Sequence, residues 1–438
     1  MPVSGLSLLS RLLPASVPVD SLWRDRDFMR LFLATFLTVL GTAVSQMALP
    51  LTAVQHLHAS ATEMGILAAC QLLPFVTVGL PAGVWIDRSA KRRLAVMFDL
   101  FSAVGLALVP LGAWFGFLSM PLLSVVGFMV STTEAIGGSA LQVFVTQLVG
   151  RERLVMANSR LAVASSVAFV IGPALAALLV AMLGAPMAVS LDALSFVCSA
   201  ALVGSIAHRE VLAPATGDSL LAQMREGLML VWHNRVLRAL VGVVAVWIIL
   251  NDAFKALYVL HVTRNLGLGA GDVALINTLG ALGGLAGAPL AHWLEQRRGI
   301  RDALVLGVLV AALGYLAFAM PQADWRWSNL AAGAALFVVD CGAAIYVINY
   351  LSLRQAVTPD ALLGRMVTSM RFVTILPGPL GTIALGMTAD AQGVRATLWM
   401  LGAGCMAMGL AAWWGLPRGM GRSASAKAAN QGVAAGGD

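Results

Sequence analysis

Glu134, Asp340, Asp252, Lys255 and Arg371 each lie inside a long apolar run of this 438-residue sequence. An ionisable side chain held in hydrocarbon costs about 3 kcal/mol or more unless it is paired or hydrated, so such groups mark ion and substrate paths by default. Glu134 shares a helical face with Gly127, Ser131, Gly138 and Gln142. That face is small and polar, which points the carboxyl into protein or a watery cavity, where it could take up and release a proton. The other reading is a structural hydrogen bond to a Ser or Thr of a neighbouring helix. For Asp340 the choice is between a proton or cationic-substrate site and a local helix–helix bond. Asp252 and Lys255 are three residues apart, on one face, and can neutralise each other. A purely structural pair is the first reading, and a switch opened by protonation of Asp252 the second. Arg371 could balance Asp340, hold an anionic substrate, or extend its charge toward the membrane edge.

Weaker polar signals accompany these. Thr35, Thr38, Thr42 and Ser45 recur every three or four residues with Gln46 beside them. The stripe either lines a cavity or bonds to backbone carbonyls and a neighbouring helix. Asp99 is expected to pair with the basic cluster Arg88–Arg93, and Asp192 reads as a structural or interfacial acid. Cys70, Cys198, Cys341 and Cys405 lie within apolar runs without metal-ligand spacing. No metal site or cofactor is expected. The sequence lacks a phosphate-binding Gly-rich loop with Lys, a zinc-type His pair and a nucleophile elbow, so no enzymatic chemistry is expected.

The elements that position these groups follow from composition. Hydrophobic residues make up 59% of the chain and charged residues 11%, against roughly 25% charged in soluble domains. A membrane-spanning helix needs about 20 apolar residues. Twelve such runs occur, at 28–50, 63–86, 93–114, 120–148, 158–183, 186–207, 238–261, 272–294, 302–320, 328–352, 365–388 and 396–415. Nothing alternates as a barrel would, so the spans are helices. The connectors are alternately rich and poor in Arg and Lys. Of the 28 basic residues, only Arg264, Arg326 and Arg395 fall in the poor connectors, and only Lys255 and Arg371 lie well inside spans, the others standing in the rich connectors or at the span ends beside them. The positive-inside bias then places the rich set, and both termini, in the cytoplasm. Net charge +7 is explained by membrane edges facing anionic lipid headgroups, and no nucleic-acid partner is expected. The expected organisation is a cytoplasmic segment (1–27), a six-helix bundle (28–207), a linker with an amphipathic helix (208–237), a second bundle (238–415) and a disordered cytoplasmic tail (416–438).

The two bundles repeat. A shift of 208 residues superimposes Gly79, Pro81, Trp85, Asp87 and Arg93 on Gly287, Pro289, Trp293, Glu295 and Arg301. The fold class is thus an all-α membrane protein of two pseudo-symmetric six-helix bundles, with any substrate site near the midplane between them. Asp340 minus 208 falls two residues from Glu134, so these acids are expected to face each other across the symmetry axis. Asp87, Arg88, Lys91, Arg92 and Arg93, with Glu295 and Arg301, read either as a gate, its acid pairing with the other bundle, or as plain topology anchors. Gly280, Gly283, Gly284 and Gly287 suit close helix packing. Gly172-Pro173 and Pro377-Gly378-Pro379 are kink candidates.

The segment "GVWIDRSAKRR" from Gly83 to Arg93 resembles the signature between helices 2 and 3 of the major facilitator superfamily, with Ser89-Ala90 where a Gly is usual. "LVGRERLVMANSRL" (148–161), "LDALSF" (191–196) and "SLRQAVTPDALLGRM" (352–366) resemble its branch of enterobactin-type siderophore exporters and macrolide efflux proteins. The resemblance implies proton-coupled export of a small lipophilic or amphipathic compound by alternating access, in a bacterial inner membrane, by a monomer. It also implies that the first helix of each bundle lines the cavity, which favours the cavity reading of the Thr35–Gln46 stripe. The antiporter signature around Gly172-Pro173 is matched only in part. A metabolite or nutrient importer on the same fold is the alternative, and a non-transporting membrane scaffold the third.

Overall fold

The computed structural model describes residues 22–79, 85–86, 89–150, 152–208, 210, 220–359 and 362–416. Their regular structure is helical throughout. The spans are α1 (Arg26–His56), α2 (Ala61–Thr77), α3 (Lys91–Phe115), α4 (Met120–Val149), α5 (Leu154–Leu183), α6 (Ala185–Gly204), α7 (Arg235–Asn265), α8 (Ala270–Arg298), α9 (Ile300–Phe318), α10 (Ser328–Ala356), α11 (Arg365–Gln392) and α12 (Val394–Gly415). Eleven are long and apolar enough to cross a membrane, and α2 is apolar but shorter. The expected second span ran on to 86, into residues outside the described ones. The expected linker helix is present as Leu220–His233.

Local chemistry sets the helix ends. Asp25 caps α1 by accepting from the backbone N–H of Asp27 and Phe28, Asn234 caps α7 in the same way, and Ser60 with Glu63 forms a capping box at α2. Helix α11 is in two pieces, Leu363–Ile375 and Gly378–Gln392, broken at the expected prolines. Helix α5 runs on through Gly172-Pro173. Three helices contain a wide (π) turn, at Thr52–His56, Glu134–Gly138 and His261–Asn265.

Packing differs between the bundles. The second has an aromatic core: Trp247 lies 4.6 Å from Tyr346, and Phe254 is 4.7 Å from Tyr315 and 5.1 Å from Phe318. In the first, α1, α3 and α6 meet over small and polar residues, with Gly41, Ser45, Ser102, Ser195 and Ser199 all buried. Outward-facing Val155, Val163, Leu178, Met182 and Leu380 cover the lipid side.

Arginines on the basic-rich side tie each bundle to itself. Arg30 donates to Ser205 O at 2.8 Å. Arg92 donates to Ile206 O, and Glu210 accepts from the backbone N–H of Lys91 and Arg92 at the start of α3. Arg301 donates to Leu416 O at 2.8 Å and to Trp413 O, and pairs with Asp302. Arg92 and Arg301 thus do the same task in the two bundles, fastening the start of α3 or α9 to the chain leaving α6 or α12. The repeat had aligned Arg93 with Arg301; the structural equivalent is Arg92, one residue earlier, and Arg93 is exposed. Arg92 and Arg301 bond within their own bundles. Gly83, Asp87 and Arg88 lie outside the described residues, and Glu295 is half-buried near the end of α8.

The glycine row of α8 lets it lie against α10. A Cβ at Gly283 would stand 2.1 Å from Phe337 O, while one at Gly284 meets open space. Gly283→Val should therefore collapse the yield of monodisperse protein in detergent gel filtration, with Gly284→Ala close to wild type. Equal profiles for the two variants would contradict this packing.

Candidate functional site

A cavity of about 490 Å³ lies between the bundles, walled by α1, α2, α4, α5 and α6 on one side and α7, α8 and α10 on the other. Its wall carries four carboxyls, Glu134, Asp192, Asp252 and Asp340, and one ammonium, Lys255. Gln46, Gln71, Asn251, Tyr258 and Asn277 add neutral polar groups, and Met47, Leu67, Phe169, Phe254, Leu336 and Val339 supply apolar surface.

Glu134 begins the wide turn of α4 and its side chain is exposed to the cavity. Such turns widen the helix by one residue and often occur at functional sites. Glu134 and Asp340 share this cavity, as the repeat anticipated. Asp340 fits because α8 carries Gly280 beside it; a Cβ there would come within 2.5 Å of Asp340 Oδ2. Lys255 Nζ lies 3.6 Å from Asp252 Oδ1, and the Lys255 side chain is 65% exposed to the cavity. So open a pair contributes little to stability, and Lys255 stands free to act electrostatically on Asp340 as well. Behind Asp252, Asn251 accepts from the Tyr315 hydroxyl at 3.2 Å, and Tyr258 donates to Asn277 at 3.0 Å. The polar floor of the second bundle is thus anchored to its aromatic core.

Other expectations shift. Of the α1 stripe, Thr42, Ser45 and Gln46 belong to the wall. Thr35 and Thr38 do not: Thr38 donates back to Ala34 O at 3.0 Å and to Thr35 O at 3.1 Å, the backbone-bonding alternative. Arg371 is not a cavity-wall residue. Its guanidinium lies 4.6 Å from the centroid of Phe75, on α2 of the other bundle, in the field of Glu134 rather than Asp340. Asp99 accepts from Ser199 Oγ at 2.7 Å, so its described partner is a serine of α6 and not the basic cluster. Asp192, read as a structural or interfacial acid, is fully buried in the wall. Gln71, Asn251, Tyr258 and Asn277 were not singled out beforehand. Their signal was available, since each is a polar residue well inside an apolar run.

The bundles close on each other at the basic-poor side. Asp390, near the end of α11, accepts from the backbone N–H of Ala61 and Thr62 at 2.8 Å each, so one bundle caps the α2 helix of the other. The positive end of the α2 dipole favours that carboxylate. Gly65 and Gly386 let the two helices touch backbone to backbone: a Cβ on either would lie 2.6 Å from Thr382 O or Ala61 O. Arg264 reaches Val54 O across the same side at 3.4 Å.

This geometry can be set beside known proteins. The profile of the Major Facilitator Superfamily matches residues 31–382. The chain belongs to the major facilitator superfamily. It is therefore a multi-pass membrane transporter of small molecules. Among superfamily relatives, it is 28% identical over 395 residues to the multidrug efflux pump Tap of Mycolicibacterium fortuitum, covering 86% of this chain and 92% of that one. It is 23% identical over 386 residues to macrolide efflux protein A of Streptococcus pyogenes, covering 84% and 90%. In fold it resembles the crystal structure of a D323A mutant of the nucleoside transporter NupG, at a TM-score of 0.75 and 11% identity, covering 89% of this chain and all of that one. In a superfamily of alternating bundles, the Asp390 cap is a contact that must break when the basic-poor side opens.

Loss of a charged N-cap costs about 1 kcal/mol, roughly fivefold in a two-state ratio. Asp390→Ala with spin labels at Gln55 and Gln392 should raise the population of long distances across the basic-poor side by about that factor. An unchanged distance distribution would show that the cap does not hold this side shut.

Proposed function

We propose that this transporter exports a lipophilic or amphipathic compound in exchange for protons. The observation that supports it most is the cavity wall, where four carboxyls and one lysine stand among apolar and aromatic side chains. Acids in that excess suit a ligand with an amine or other cationic group, and the apolar surface suits its greasy remainder. A volume of about 490 Å³ is in the range for drug-sized ligands. The printed names of the two efflux relatives agree with export.

In this reading the basic-rich side faces the cytoplasm, as the positive-inside bias requires, and both termini lie there. The closed basic-poor side then makes this the inward-facing conformation, ready to load from the cytoplasm or the inner leaflet of a bacterial inner membrane. The unit is a monomer of two bundles, with residues 208–237 as the linker between them. Glu134 is the leading proton-binding group, with Asp340 and Asp252 as further coupling groups. A cationic substrate and a proton compete for the same carboxyls, so each leaves when the other arrives. That competition is the elementary form of exchange, and it needs no contact between the two ligands. Thr42, Ser45, Gln46 and Lys255 contribute to substrate binding. Arg371, facing Glu134 from the other bundle, reports the charge of that carboxyl to α11. The loop from Gly83 to Arg93, with Glu295 and Arg301, closes the cytoplasmic side in the opposite conformation.

Reconstituted vesicles with an imposed pH gradient test this directly. Erythromycin, a macrolide with a basic amine, should move against the proton flow in wild type. Glu134→Gln should lose the dependence on the gradient and keep measurable erythromycin binding. Accumulation along with protons would replace export by import, and an unchanged pH dependence in Glu134→Gln would remove Glu134 as the proton site.

A further inference from the structure

The first bundle contains a second polar path that the cavity alone does not explain. Asp192, Ser195 and Ser199 stand at i, i+3 and i+7 on one face of α6, all buried. At the basic-poor end of this column, Asp192 occupies space that α1 leaves open. A Cβ on Gly41 would lie 2.6 Å from Asp192 Oδ1 and 2.4 Å from Ser195 Oγ. Ser195 donates to Asp192 Oδ1 at 3.1 Å. Asp192 Oδ2 and Ser45 Oγ are both wholly enclosed and make no bond of strict geometry; Ser45, facing the carboxyl from α1, is the hydroxyl placed to donate to it. At the other end, Ser199 donates to Asp99 of α3 at 2.7 Å. Ser102, one turn from Asp99 on α3, is fully buried and its hydroxyl also lacks a partner.

An ionised carboxylate buried without a countercharge is costly, and removal of its charge relieves most of that cost. Ser45 and Ser195 can donate to the carboxylate but carry no charge to balance it, so protonation relieves the buried charge, and Ser45 Oγ can then accept from the carboxyl instead. Among the described residues no basic group faces Asp192 from α1 or α3 to do this instead. The titratable groups around it are Asp99 at the far end of the column, Cys198 on α6 itself, and Glu134, Asp252, Asp340 and Lys255 on the shared cavity wall. Along α6, seven residues advance by about 10 Å, which carries the column from the cavity toward the basic-rich side. The step from Ser195 to Ser199 is about 6 Å along the axis, a span one water can bridge.

We propose that Asp192 and Asp99 are two proton-binding stations inside the first bundle, linked by Ser195, Ser199 and Ser102, which pass the exchanged proton between the cavity and the basic-rich side. The proton leaves the Asp192 carboxyl, each hydroxyl or water on the way accepts one proton and gives up another, and the Asp99 carboxylate receives one. No group is oxidised or consumed. This rests on the proton-exchange reading above and adds where the proton goes after the cavity.

Infrared difference spectra of the purified protein between acidic and alkaline buffer read protonated carboxyls without requiring transport. Wild type should show their carbonyl band, and Asp192→Asn should remove a component of it that Glu134→Gln leaves in place. In vesicles, Asp192→Asn and Asp99→Asn should each lose erythromycin transport driven by a pH gradient, yet keep erythromycin–erythromycin exchange without one. Should Asp192→Asn fail to reach the membrane, Asp99→Asn carries the same vesicle test. A full infrared band in Asp192→Asn, or gradient-driven transport retained by both variants, would overturn the path while leaving proton exchange standing. A wild type driven by a sodium gradient in place of a pH gradient would overturn it too. A wild type that ignores both gradients removes the exchange reading itself.

Discussion

Hydrocarbon offers no partner to a charge, and the placing of nearly every polar group in this protein follows from that. Arginines collect at the basic-rich membrane edge, where they tie the helix ends of each bundle together. Most of the ionisable groups that remain in the interior face the central cavity, a lysine or a serine, while Arg371 lies against Phe75. Asp192, which has no cation among the described residues, is answered only by the hydroxyls of Ser45 and Ser195. A transporter turns this intolerance into work: a site that is uncomfortable when empty has reason to exchange one ligand for another.

The fold was legible because the same constraint writes it into composition. Twelve apolar runs, alternating connector charge and a 208-residue repeat are one-dimensional signals, and the helices follow them closely. Proline and glycine signals were read less evenly. The pair at 172–173 leaves α5 unbroken, whereas the triplet at 377–379 divides α11.

The site was legible only by residue type. Glu134, Asp340, Asp252 and Lys255 were found because a charge in an apolar run stands out. What each one touches was not, because partners come from helices far away in sequence. Asp99 went to Ser199, a hundred residues on, and Arg371 to Phe75 rather than Asp340. Asp192 read as structural or interfacial because it falls in the first turns of its span, and depth in the membrane is a poor guide to depth in the bundle. The contact between Asp390 and the start of α2 left no mark in either segment alone.

The wide turns carry a different kind of information. Those at Thr52–His56 and His261–Asn265 close α1 and α7 at equivalent places in the two bundles. Each amounts to one residue inserted in a regular helix, so the bundles share this feature as they share the 208-residue repeat. The turn at Glu134 has no counterpart in α10, which is regular through Asp340. The two bundles therefore share their widened helix ends, while the mid-helix widening at Glu134 is found, among the described residues, in the first bundle alone.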